Sequence, residues 1–87
     1  MLLTDAESKE FYSKYKLLEE TLTALDEINK FKSWRTKVFA KKYSLLIDTM
    51  KGIYITDNAA FKNYLIGLAK KTIDEIHNII YENLPGL

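Results

Sequence analysis

Apolar residues recur along this chain at alternating spacings of three and four, the period of one face of an α-helix. Phe11, Tyr15, Leu18, Leu22 and Leu25 make the first stripe, with Lys9, Lys16, Glu19, Glu20 and Glu27 lying off it. Ahead of it, Thr4-Asp5-Ala6-Glu7 has the form of a capping box, in which a hydroxyl and a carboxylate satisfy backbone N–H groups that the first turn leaves without partners. A helix over about 5–29 is predicted. The next boundary has weaker punctuation. Residues 29–33 (NKFKS) contain neither Gly nor Pro, so Asn29 as a stop and Ser33 as a cap compete with one helix running straight through.

The helical period resumes over 33–51. Trp34, Val38 and Leu45 share a face with Phe31 if the helix starts early, and Phe39, Tyr43, Leu46 and Met50 widen it past half the circumference, so this helix should be covered from two sides. Gly52 suits the left-handed position that ends a helix. Ile53-Tyr54-Ile55 after it is β-prone and reads as an extended connector laid over one end of the core. Thr56 or Asp57 caps a third helix over 57–84. Its stripe is Phe61, Leu65, Leu68, Thr72, Ile76 and Ile79, with Ala69, Ile73 and Ile80 on the shoulder, and Pro85-Gly86 closes it.

Three such helices joined by short connections predict an all-α fold: a small antiparallel three-helix bundle, elongated, forming a single helical domain over residues 1–87. Helices of this length make a rod ~30 to 40 Å long at 1.5 Å per residue. Thin rods bury little surface, so a dimer is an expectation too. It would form by face-to-face pairing or, if the helix straightens through 29–33, by domain swapping.

Composition narrows the class. Apolar residues make up 47% of the chain and the net charge is only +1, which excludes a disordered tail. The absence of Cys excludes disulfides, thiolate zinc sites and cysteine nucleophiles together. No apolar run approaches the roughly 18 residues of a membrane span, and MLLTDAE carries no basic leader, so a cytoplasmic location is expected. The single Arg among the basic residues, with many Ile, Asn and Tyr, fits an AT-rich genome and the mobile elements such genomes carry.

Charge changes the picture most. Residues 1–27 carry three lysines against seven acids, net −4; residues 28–51 carry seven basic groups against one acid, net +6; residues 52–87 are net −1. Within KFKSWRTKVFAKK, the residues Lys30, Lys32, Arg35, Lys37, Lys41 and Lys42 occur without an acid, interleaved with Phe31, Trp34 and Phe39. Arg35 and Lys42 fall inside the apolar arc, where a cation must snorkel outward or meet an anion. Clustered cations with aromatic neighbours suit an acidic groove on a protein partner, with Trp34 and Arg35 as anchors. They equally suit the phosphates and bases of a nucleic acid. A membrane surface is disfavoured because the apolar side is needed for the core. Against these stands an internal account, in which Glu19, Asp26 or Glu27 of the first helix neutralises part of the charge.

Candidate chemistry is sparse. His77 is the only His, and Asp74-x-x-His77 is half of a di-metal pattern that needs two copies and further Glu, so no metal or cofactor is assigned. The adjacent carboxylates Glu19-Glu20, Asp26-Glu27 and Asp74-Glu75 point about 100° apart on a helix, the serines lack glycine-flanked elbows, and the glycines are isolated. Tyr12, Tyr43, Tyr64 and Tyr81 fall beside the stripes, as half-covers of the core or as an exposed aromatic band. The expectation is a non-catalytic protein of inhibitor, accessory or immunity type. It would bind another protein through Lys30, Lys32, Trp34, Arg35, Lys37, Lys41 and Lys42, with nucleic-acid binding by segment 30–42 as the alternative and an activity centred on His77 third.

Overall fold

The computed structural model describes residues 4–28 and 36–83. Three helices, α1 (Asp5–Ile28), α2 (Lys37–Ile55) and α3 (Ala59–Asn83), form a small three-helix bundle without strands among these residues. The molecule measures 41 × 23 × 18 Å with a radius of gyration of 14.1 Å, above the ~12 Å of a round domain of this length, so it is elongated. No described helix is long and apolar enough to cross a membrane.

Local chemistry sets the boundaries. At the start of α1 the capping box forms: the Glu7 N–H donates to Thr4 Oγ1 at 3.1 Å, and the Thr4 N–H donates back to Glu7 Oε1 at 3.3 Å. Asp5 and Glu7 also place negative charge at the positive end of the helix dipole. At the start of α2, Thr36 is extended (φ −77°, ψ 170°) and its Oγ1 accepts from the Phe39 N–H at 3.1 Å. The cap is thus three residues beyond the Ser33 that the sequence suggested. The break expected at 29–33 lies outside the described residues, but the extended backbone at Thr36 rules out a helix running through that position.

The other end of α2 corrects the sequence reading. Gly52 does not stop the helix; α2 continues through Ile53, Tyr54 and Ile55 and ends where extended Thr56 (φ −81°, ψ 136°) donates its N–H to the Gly52 carbonyl at 3.1 Å. Burial explains the extra turn, since Ile53 is 1% exposed in the core and only a helical backbone keeps it on the face of Phe39 and Leu46. Gly52 is small because α3 comes close there: a Cβ on it would lie 3.1 Å from Leu65 Cδ1. Residues 56–58 then reverse the chain, and Asn58, rather than Thr56 or Asp57, caps α3 by accepting from the Phe61 N–H at 2.9 Å. So short a connection makes α2 and α3 antiparallel neighbours.

The core takes Phe11, Leu18, Leu22 and Leu25 from α1, as the stripe predicted, with Tyr15 partly buried beside them. On α2 the buried face is Phe39, Leu46, Thr49 and Ile53, while Val38 and Leu45 are exposed. The face drawn through Val38 and Leu45 is therefore rotated from the true one, which runs through the residues first taken as its margin. On α3 the buried residues are Thr72 and Ile76 of the expected stripe, Ala69, Ile73 and Ile80 of its shoulder, and Ile66, which neither included, while Phe61 is half exposed. The two buried threonines carry no unmet polar group, because Thr49 Oγ1 donates to the Leu45 carbonyl at 2.7 Å and Thr72 Oγ1 to the Leu68 carbonyl at 2.9 Å.

Candidate functional site

The core face of α2 fixes where its lysines point. With Phe39 and Leu46 inward, Lys37 and Lys41 are exposed, whereas Lys42 lies next to the buried arc. Lys42 does meet an anion, and its ammonium forms an ion pair with Glu75 of α3. The hydrogen bond from Lys42 lowers the Glu75 carboxyl below its ordinary value; partial burial opposes this, and the charges of Lys42 and Lys71 assist. Lys30, Lys32, Trp34 and Arg35 lie outside the described residues.

The internal account of the basic segment placed its counter-charge on α1. For Lys42 that is corrected: the partner is on α3, and Glu19 of α1 serves a hydroxyl instead. Tyr43 donates to the Glu19 carboxylate, with its oxygen 2.9 and 3.0 Å from the two carboxylate oxygens. This bond ties α1 to α2 half-way along the bundle. Tyr15, one turn before Glu19, has its phenol pushed above the ordinary value by burial first, then by the Glu19 charge and hydrogen bond. Sequence spacing offers no signal for the Tyr43–Glu19 contact, because it depends on the relative rotation of two helices.

The four tyrosines divide. Tyr43 is partly buried and stacks on Phe39 with ring centroids 5.7 Å apart, while Tyr12, Tyr64 and Tyr81 are exposed. Tyr64 and Tyr81 sit about 25 Å apart along α3, so they form no single aromatic band. Tyr54, which the extended-connector reading overlooked, is 90% exposed and stands over a groove of about 300 Å³ between α1 and α2, lined by Tyr15, Ile47, Met50, Lys51, Tyr54 and Ile55. The groove is apolar apart from the Lys51 ammonium and the Tyr hydroxyls, so it can receive an apolar side chain but offers no acid, base or nucleophile pair. His77 is half-buried and stacks near Tyr81, ring centroids 6.3 Å apart. Among the described residues no three His, Cys, Asp or Glu side chains converge as metal ligands would.

Comparison with known proteins gives no relative: no family model, no curated protein and no solved structure matches this chain.

Proposed function

We propose that this is a non-catalytic cytoplasmic protein that binds an acidic surface of another protein through its basic segment 30–42, as an inhibitor, accessory or immunity-type factor. The observation that carries this reading is the orientation of α2. Packing of Phe39 and Leu46 leaves Lys37 and Lys41 facing outward, while Lys42 is tied back to Glu75. Outward cations favour association with an oppositely charged partner and speed its encounter. Trp34 and Arg35, of the residue types that dominate interface energetics, are close in sequence. Binding of nucleic acid by the same segment is the second reading, favoured by the same outward lysines, which would contact phosphates in a salt-dependent way.

Quantitative capture from cell extract separates the two. The tagged chain and its Lys37→Glu/Lys41→Glu variant are compared with and without nuclease. The protein-binding reading expects a partner enriched at least ten-fold by the wild type over the variant and unaffected by nuclease. Equal recovery by both forms contradicts a basic docking segment, and loss on nuclease treatment transfers the function to nucleic acid.

A further inference from the structure

One strip of α2 lies outside both the buried face and the groove shared with α1, with its Gly52 end against Leu65 of α3. Val38, Lys41, Leu45, Asp48 and Gly52 follow one another at helical spacings of three and four and fall within about 80° of arc at 100° per residue. Val38 is 59% and Leu45 43% exposed, Lys41 and Asp48 are exposed, and Gly52 presents no side chain. Phe61 and Tyr64, exposed near the start of α3, extend the apolar surface at the Gly52 end. Lys41 and Asp48 stand about 10 Å apart along the axis, too far to neutralise each other, and neither makes an ion pair among the described residues.

We infer that this strip is the docking surface for a second copy of the same chain, with the two α2 helices antiparallel about a twofold axis at Leu45. The order of chemistries along the strip selects this occupant. Reversed against itself, the strip places Leu45 on Leu45, Lys41 beside Asp48 of the second copy, Asp48 beside its Lys41, and Val38 over Gly52 and the Leu65 side chain that lies against it. Every contact is then repeated by symmetry, as a twofold interface requires. A parallel arrangement would set lysine on lysine and aspartate on aspartate. A uniformly acidic partner would leave Asp48 opposed by like charge. Lys41 belongs both to this strip and to the proposed docking segment, whereas Lys37 lies outside the strip, so Lys37→Glu separates the two.

Sedimentation velocity of the full chain over a concentration series, with circular dichroism as the check on folding, tests this by charge exchange. The wild type is expected to dimerise. Lys41→Asp and Asp48→Lys, both exposed substitutions, should each weaken the dimer at least ten-fold at unchanged helicity. An equimolar mixture of these two variants should regain a dimer of mixed composition, and the double variant Lys41→Asp/Asp48→Lys a dimer of its own, while Lys37→Glu leaves dimerisation intact. A wild type that stays monomeric throughout overturns the inference. So does a dimer indifferent to both single reversals, as helix exchange or another face would give, and so do single variants that fail to pair when mixed.

Discussion

Lys42 and Glu75 show how one side chain's direction governs the electrostatics of this protein. The sequence places Lys42 inside the apolar arc of its helix, where it must snorkel outward or meet an anion, and the structure supplies an anion. Its position on α3 was not legible. Segment charges count ions without saying how helices rotate, and a carboxylate in a nearly neutral segment gives no signal. The pairing has a pH signature. The folded-state value of Glu75 lies below the ordinary 4.5, so the pair contributes stability above the unfolded-state value and loses it as pH falls through the folded one. Urea midpoints between pH 7 and pH 2.5 should therefore fall more steeply for the wild type than for Glu75→Gln, the two curves converging in acid. Parallel curves would mean that the pair does not form.

At the scale of elements, the start of α1 was readable to the residue, because a capping box is local chemistry that tertiary contacts need not override. The end of α2 was not, because local chemistry lost. Gly52 and the β-prone Ile53-Tyr54-Ile55 argue for a stop, but burying Ile53 against the core outweighs them. Substitution tests the two ends of that segment against each other. Ile53→Ala should cost about 2 to 5 kcal/mol as a core truncation. Ile55→Ala, at an exposed position, should change stability by less than about 0.5 kcal/mol in chemical denaturation. Similar losses at both would restore the extended connector. The glycines give a second contrast. A methyl group at Gly67 meets nothing within 4 Å, so Gly67→Ala should stabilise α3 by about 1 kcal/mol through helix propensity, read as a rise in the thermal midpoint. Gly52→Ala should gain less, because Leu65 must give way. The buried faces of α2 and α3 were legible only in part, since Thr49, Ile53 and Ile66 lay outside the expected apolar sets. Both helices are apolar over so much of their circumference that the pattern cannot say which part of the arc is the centre, and packing rotated each face toward its shoulder.

For the whole molecule, the three helices, the absence of strands among the described residues and the elongated shape follow from periodicity and from the scarcity of turn residues. A chain of 87 residues holds only roughly 4 to 13 kcal/mol of net stability, so the single core shared by three thin helices leaves little reserve. Its outer surface is free to carry function because core packing is met by one face of each helix. The exposed apolar side chains on α2 and α3, which the sequence assigned to the core, are what the rotation of those faces sends outward. Of the described part of the candidate binding segment, the sequence identified the charge and the structure supplies the direction: Lys37 and Lys41 outward, Lys42 turned to Glu75 of α3.

That division of α2 is tested most directly by the reactivity of its lysines toward limiting acetylating reagent, measured residue by residue by mass spectrometry on the folded protein. Lys37 and Lys41 should be modified several-fold faster than Lys42, and Glu75→Gln should bring Lys42 up to their rate. Equal rates for all three in the wild type would contradict the account.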